Sequence, residues 1–556
     1  MIKKINLKFG SALGLEHASI AATPVTVFVG PNNSGKSKIL EEVFQFCNSG
    51  QKNVNSLILE NIEFENLGTT IALQEVDAIT LEPHMGEAVQ QGYVIVGKRR
   101  FRDQVPIQQL LSALQNPNAN TNQFCQWYLK SNVTILDGKS RINLINEQNA
   151  GDFQQSPQTS FQTLFRDDKK RKEVRRIIHD AFGVHFTIDP TKLGKLRLKL
   201  SPAEPKNNME ECGIHQEAIQ FQSKALDINA ASDGVKAFTG MITEIIAGDP
   251  KILLIDEPEA FLHPSLSHKL GKEIATATAG TNKRICVSTH SSNFVMGCIQ
   301  SGVPVNIVRL TYKHKITTAR ILPKNDVLRL MRDPLLRSTG VLQALFYDNV
   351  VVTEGDTDRA FYQEINERLL QFKPAWGIPN CLFLNAQNKQ TIRKIIKPLR
   401  ELGIPAAGIV DIDVLKEGGQ VWTSFLKSGF VPDVSHRPLS EQRNALKTKL
   451  VSTGRNMKID GGVNLLDNDD KEAANNLFEQ LDQYGLFSVR AGEVKSWLQT
   501  LHIGGHGAEW LIKVFEKMGD NPKSQSYLKP KTTDVWKFIK SLKKWFDDPK
   551  RKGIPS

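Results

Sequence analysis

At 556 residues, with 40% hydrophobic and 23% charged side chains, the chain exceeds what one core organises and has the composition of an ordinary soluble protein. No apolar run approaches 18 residues, the start MIKKINLKFGSALG lacks a signal-peptide core, and the six cysteines form no CxxC pair. A membrane span, a disulfide framework and a zinc ribbon are therefore not expected, and a reducing cytoplasm is. The formal charge of +12 points to a polyanionic partner, nucleic acid first. That surplus is uneven: residues 523–552 hold ten Lys/Arg against three Asp, and FRDDKKRKEVRR at 165–176 is also cationic, although solvated helix faces explain either run equally well.

In chain order, the first chemistry-bearing element is Pro24–Gly30, PVTVFVG, a buried strand by composition. It runs into GPNNSGKS (30–37) and then KILEEVFQF with helical spacing, the strand–loop–helix setting of a phosphate cradle. Gly30 and Gly35 permit the tight loop, and the backbone through Asn32, Asn33 and Ser34 offers N–H groups to phosphate oxygens. Lys36 adds positive charge at the β- and γ-phosphates, and the Ser37 hydroxyl can ligate Mg²⁺. ATP with Mg²⁺ is the expected cofactor.

Residues 45–225 contain strand-like pieces (VTILDG, RINLI) and a helix, RKEVRRIIHDAF. They carry no sustained heptads, which excludes a long coiled coil. Part of this segment is expected to complete a sheet and part to form a small helical dimerisation insert. Next, Ala231–Phe238, ASDGVKAF, starts a helix of apolar spacing with Ser232 and Gly234 at its anion-favouring end. In KILLIDEPEAFLHP (251–264) a four-residue apolar strand ends in Asp256-Glu257. Asp256 suits a Mg²⁺ shell and Glu257 the polarising of an attacking water; a plain polar turn is the alternative. Arg284–His290, RICVSTH, is another strand, and His290 at its end is either structural or a γ-phosphate sensor.

The order GxxxxGKS, SDG, DEP, H resembles the ABC-type ATPases, in particular the recombination and repair branch with the SMC and RecF proteins. The resemblance implies a head-to-head homodimer in which Ser232 and Gly234 of one subunit close over ATP bound by the other. It also implies a sensor glutamine within 45–225, for which Gln104 is a candidate.

From residue 341 the pattern restarts. Asn349–Phe361 reads NVVVTEGDTDRAF, an apolar strand running into acids, followed by helix-like FYQEINERLL, strand CLFLNA, helix TIRKIIKPLREL and strand AAGIVDID (406–413). Alternating strands and helices predict a parallel sheet with ligands at the carboxyl ends of its strands. Glu354, Asp358, Asp411 and Asp413 fall at such ends. Asp411 and Asp413, two apart in an extended chain, share a face; Asp356 and Thr357 read as helix-capping residues. Carboxylates so gathered repel unless neutralised, and an all-oxygen ligand set selects Mg²⁺ or Mn²⁺. In LFSVRAGEVKSW (486–497) a strand, a Gly-Glu turn and a helix supply Glu493.

The spacing E-G-x-x-D followed by D-x-D resembles the Toprim domain. An ABC-type head with a C-terminal Toprim domain resembles the OLD (overcoming lysogenisation defect) family. That resemblance implies an ATP-regulated, metal-dependent DNA endonuclease in antiphage defence, alone or with a partner protein or nucleic acid, with RNA as an open substrate. It implies metal ligands Glu354, Asp358, Asp411, Asp413 and Glu493, and a lysine at the scissile phosphate. Lys495 is the candidate, with Lys529 and Lys531 as alternatives. An ATP-driven clamp without nuclease activity and a Toprim topoisomerase or primase are the rival readings. The expected organisation is an α/β chain: an ABC-type head over 1–340, a Toprim domain over 341–500 and a basic helical segment over 501–556. In that tail Val535, Ile539, Leu542 and Phe546 form one stripe, read as core, with Lys537, Lys540 and Lys544 elsewhere.

Overall fold

In the computed structural model the chain forms two compact units, Met1–Lys324 and Asn325–Ser556. Residues 1–555 are described, apart from 13, 99, 100, 249, 314, 335 and 337–339.

The first unit is built on a six-stranded sheet. Its strands are β1 (Val25–Val29), β2 (Val133–Leu136), β3 (Ile252–Asp256), β4 (Arg284–Ser288), β5 (Val305–Lys313) and β6 (Ile316–Leu322). The spatial order is β6-β5-β1-β4-β3-β2, parallel throughout except for the β5–β6 hairpin. β1 lies in the middle and is buried at every position, as a continuous apolar run in a doubly covered parallel sheet must be. Register sets Ser288 opposite both Asp256 and Phe28, so the carboxyl ends of β1, β3 and β4 finish level at one rim.

Residues within 45–225 complete this sheet through β2, and Gln148–Asn149, His185–Asp189 and Lys195–Ser201 form an antiparallel sheet with Leu226–Asp227 just beyond the segment. The insert is therefore not purely helical. RINLI is not a strand: helix Gly138–Asn143 takes up its first residues. Asp137 accepts the N–H groups of Lys139 (3.1 Å) and Ser140 (2.7 Å), starting a helix directly off β2, and this cap overrides the apolar alternation. The cationic run at 165–176 is only partly a solvated face. On helix Asp168–Phe182 the Arg171 and Arg175 side chains are 2% and 7% exposed, and both clamp the buried Glu211 at 2.9 and 2.5 Å.

The second unit carries β7 (Asn349–Thr353), β8 (Cys381–Asn385), β9 (Ala406–Asp411) and β10 (Leu486–Val489), all parallel, in the order β8-β7-β9-β10. Helices Asp356–Phe372 and Lys389–Glu401 make the first two crossovers. Three helices, Gly419–Ser428, Asp433–Ser452 and Asn468–Asp482, intervene between β9 and β10. The tail joins this unit's core. Trp510, Val514 and Met518 of one helix and Val535, Ile539, Leu542 and Phe546 of the last pack with Phe361, Tyr362 and Phe487. Arg400, fully buried, ties it down by donating to the carbonyls of Ala406, Gly429, Gly485 and Gly553. Burial, and then the neighbouring charge of Arg551, lower its pKa to about 9.

The α/β class and the parallel sheet of the second unit stand as expected. All six cysteines are free. Among the described residues no helix is long and apolar enough to cross a membrane.

Candidate functional site

At the rim of the first unit, β1 ends in Gly30 with φ 145°, a backbone that L side chains rarely adopt. A Cβ there would stand 2.0 Å from the Leu310 carbonyl oxygen. At Gly35 (φ 93°) a Cβ would meet Ile58. The loop Pro31–Ser34 between them, including Asn32, Asn33 (φ 60°) and Ser34, is thus fixed at both ends and delivers the start of helix Lys36–Ser49. Lys36 is buried, its Nζ donating to the carbonyls of Gly30 (2.9 Å) and Pro31 (2.7 Å), so its ammonium curls into the loop where phosphate oxygens are expected. Ser37 Oγ donates to Asp256 Oδ1 at 2.8 Å, and Ser288 Oγ donates to the same oxygen. Two hydroxyls thus converge on the one carboxylate that would hold a Mg²⁺ shell.

Glu257 follows at φ 48°, held by its N–H to the Ser288 carbonyl (2.9 Å) and by Arg141, which donates to the Glu257 carbonyl. Its carboxylate lies 3.4 Å from His290 Nε2. Burial, and then the Lys36 charge, lower the His290 pKa, which favours a neutral imidazole. The His290 N–H donates to Glu259 at 2.7 Å. Burial raises the Glu259 pKa. Asp256, Glu257 and His290 are therefore brought together beside the phosphate loop. Ser232, exposed, is the N-cap of helix Asp233–Thr243 and makes no capping hydrogen bond with its side chain. Gly234 approaches the Phe261 carbonyl so closely that a Cβ would stand at 2.6 Å. Gln104 lies in a two-stranded sheet, Tyr93–Lys98 with Phe101–Pro106, and donates to the Ala88 carbonyl; it is not on a strand of the six-stranded sheet. Arg141, Ser288 and Glu259 went unread in the sequence, because no local spacing marks them.

In the second unit β7 and β9 are neighbours, and each ends in acid. Ligand oxygens of Glu354, Asp411 and Asp413 lie within 4.8 Å of one another. The shared face of Asp411 and Asp413 does not come from an extended chain. β9 stops at Asp411, and Ile412–Lys416 is a 3₁₀ turn that swings Asp413 back. Glu354 Oε1 accepts the Asp411 N–H at 2.8 Å, and Asp358 Oδ2 accepts the Gly355 N–H at 3.0 Å. Gly355, not Asp356 or Thr357, is the N-cap of helix Asp356–Phe372, and Asp358 is the residue that reaches back. Burial, reinforced by the charge of Asp411, raises Glu354 to about 8 and Asp358 to about 7. Asp411 is raised by burial and opposed by Lys458.

Glu493 joins from the turn after β10. Its successor Val494–Ser496 is a single 3₁₀ turn rather than the expected helix. Lys458 Nζ stands between, 2.6 Å from Asp411 Oδ2 and 3.8 Å from Glu493 Oε2. Lys495 reaches Glu493 at 3.4 Å but is closer to His506 Nδ1, at 2.6 Å. Lys529 sits over the Phe372 ring, and Lys531 is exposed. Lys389 pairs with Asp413 at 3.0 Å and Glu417 at 3.2 Å. Lys458 and Lys389 thus stand at the acids beside the candidate Lys495, and sequence reading singled out neither. The available signal for Lys458 was Asp460-Gly461-Gly462, a turn in which both glycines take positive φ. Gly492 (φ 135°) presses on the Lys458 carbonyl, where a Cβ would stand at 2.2 Å, and the Val463 N–H donates to the Arg490 carbonyl. These contacts dock the loop on the Glu493 turn.

The donor set fits a hard divalent cation. It is all oxygen, burial and then the charge of Asp411 raise the carboxyls of Glu354 and Asp358, and Asp413 Oδ1 is buried with no hydrogen-bond partner among the described residues.

Residues 205–296, which span Ser232, Asp256, Glu257 and His290, match a family model described as "AAA domain, putative AbiEii toxin, Type IV TA system". Residues 345–413, which span Glu354, Asp358, Asp411 and Asp413, match one described as "Overcoming lysogenization defect protein-like, TOPRIM domain". The chain thus carries an AAA-type ATPase domain and, C-terminal to it, an OLD-like Toprim domain. Among solved structures, an SMC head bound to the C-winged helix domain of ScpA is 15% identical with a TM-score of 0.33, over 59% of this chain and 99% of that one. The SMC head domain from Thermotoga maritima is 14% identical with a TM-score of 0.29, over 58% and 99%. The Pyrococcus furiosus Smc head domain bound to the C-terminal domain of ScpA is 12% identical with a TM-score of 0.30, over 60% and 98%. No curated protein sequence matches.

Proposed function

We propose that this protein is an ATP-regulated, divalent-metal-dependent DNA endonuclease of the OLD type, cytoplasmic and acting in antiphage defence. The observation that carries the nuclease reading is the convergence of Glu354, Asp411 and Asp413 on one small volume, with Asp413 Oδ1 unpartnered among the described residues and Lys458 alongside. Glu354, Asp411 and Asp413 would hold Mg²⁺ or Mn²⁺, with Asp358 and Glu493 completing the shell. A cation held there supplies a polarised water and charge neutralisation at a phosphodiester. The chain's own residues do the rest. The Asp411 N–H and Gly355 N–H orient the Glu354 and Asp358 carboxyls. Lys458 is placed to offset negative charge gathering on the phosphate.

ATP would bind on the Gly30–Ser37 loop, with Asp256 on its Mg²⁺, Glu257 toward the attacking water and His290 toward the γ-phosphate. Ser232 and Gly234, at the start of helix Asp233–Thr243, would face ATP held by a second copy, making a homodimer of heads. The defence role and any partner protein or nucleic acid rest on the family resemblance.

The test is plasmid DNA incubated with Mg²⁺ or Mn²⁺, with and without ATP, comparing wild type with Asp411→Ala. Metal-dependent nicking or linearisation by the wild type alone supports the reading. Intact DNA in every lane, and intact RNA when RNA replaces the plasmid, would leave an ATP-driven clamp.

A further inference from the structure

Helix Asp534–Asp547 buries Val535, Ile539, Leu542 and Phe546 completely. Its opposite stripe, at i, i+4 and i+7, is Lys537, Ser541 and Lys544, all exposed. Together with β10 and the following turn, that stripe walls a cleft of about 790 Å³, whose lining includes Trp497 and Phe538, 5.2 Å apart between ring centroids. Arg490 and Trp497, both at the cleft, bracket Glu493 in the chain.

The charges in this cleft are not evenly available. Asp482 is spent on Arg490 at 2.7 Å, and Glu479 reaches the same guanidinium at 3.7 Å. Asp534 accepts the N–H groups of Leu498 and Val535, and Asp548 that of Lys550. Lys537, Lys544 and Lys550 have no carboxylate within ion-pair distance among the described residues, and all three are exposed. Ser488 of β10, 3% exposed, adds to the same wall an Oγ with no hydrogen-bond partner among the described residues. Lys537 and Lys544 stand seven residues apart on one helical face, about 10 Å, the axial rise of about three nucleotides of one strand.

We infer that this cleft is the track on which a nucleic-acid strand lies, its phosphates on Lys537, Lys544 and Lys550, its bases against Trp497 and Phe538, leading to the turn that carries Glu493. Unpaired cations beside the half-buried rings of Trp497 and Phe538 offer a single strand what it needs: charge along the backbone and a platform for bases. The ligand class deepens the nuclease reading and rests on it, but binding is separable from cutting.

The experiment is fluorescence anisotropy of a fluorescein-labelled 30-mer, single-stranded and duplex, titrated with the full chain in EDTA at several salt concentrations. The test variant is Lys537→Ala/Lys544→Ala/Lys550→Ala. Lys394→Ala/Lys397→Ala/Lys427→Ala, outside the cleft, is a charge-matched control, and circular dichroism checks folding. Removing three phosphate contacts should lower the log–log salt slope by about 2 for the single strand, and affinity by at least about tenfold at 100 mM salt. The control should bind as wild type, and the single variant Lys544→Glu should weaken binding in the same direction. Equal affinity and slope in wild type and triple variant, or no binding by the wild type, overturns the inference. If binding runs through these lysines but Mg²⁺ produces no cutting, the nuclease reading falls and the track stands. If the wild type cuts while the triple variant binds undiminished, the track falls and the nuclease reading stands.

Discussion

Glu354→Gln should stabilise the metal-free protein, and only at neutral to alkaline pH. Glu354 is mostly buried beside Asp411 and Asp413, and its carboxyl is raised from 4.5 to about 8 in the folded chain. Below about pH 4.5 both folded and unfolded states carry the proton, and nothing is lost. As pH rises toward 8 the unfolded state ionises while the folded state keeps its proton, so the folded state binds more protons and stability falls. Each pH unit in that window removes at most about 1.4 kcal/mol, which gives up to about 3 kcal/mol between pH 5 and pH 7.5. Glutamine keeps an Oε1 to accept the Asp411 N–H but needs no proton. The variant should match wild type near pH 5 and exceed it by up to about 3 kcal/mol at pH 7.5 in EDTA. Urea denaturation followed by tryptophan fluorescence reads this well, because six of the seven tryptophans lie after residue 325. Mg²⁺ should stabilise the wild type and leave the variant nearly unmoved. A variant whose stability falls with pH in parallel with wild type would refute the reasoning.

Lys458→Met should lower metal-dependent cleavage by about 10²–10³-fold while Mn²⁺ still binds, as seen by calorimetry, with Lys495→Met clearly milder. An equal loss from both lysines would return Lys495 to the site. Lys36→Ala should weaken binding of a fluorescent ATP analogue by at least about 100-fold and abolish any ATP effect on cleavage, since its ammonium is the charge inside the loop. Glu257→Gln should retain nucleotide affinity and slow hydrolysis by at least about 100-fold, measured by phosphate release.

What the sequence disclosed and what it hid divide along physical lines. The phosphate loop was legible because all its parts are local: a buried strand, two strained glycines and a helix start within a dozen residues. The acids at 354 and 411 were legible because parallel sheets place strand ends together. Lys458 was hidden because it arrives 47 positions after Asp411, from a loop between two helices, and is placed by tertiary contact with Gly492 rather than by any local period. Asp411 and Asp413 were matched for a wrong reason, since a 3₁₀ turn rather than strand alternation unites them. RINLI misled because the Asp137 cap began a helix that apolar spacing did not announce. The tail's apolar stripe was read correctly, but not that it closes the core of the second unit.

The most direct measurement is anomalous diffraction from crystals grown with Mn²⁺. A peak within about 2–2.5 Å of carboxylate oxygens of Glu354, Asp411 and Asp413 is the predicted result. Manganese bound elsewhere, with those three side chains turned apart, would contradict the metal centre and the nuclease chemistry built on it.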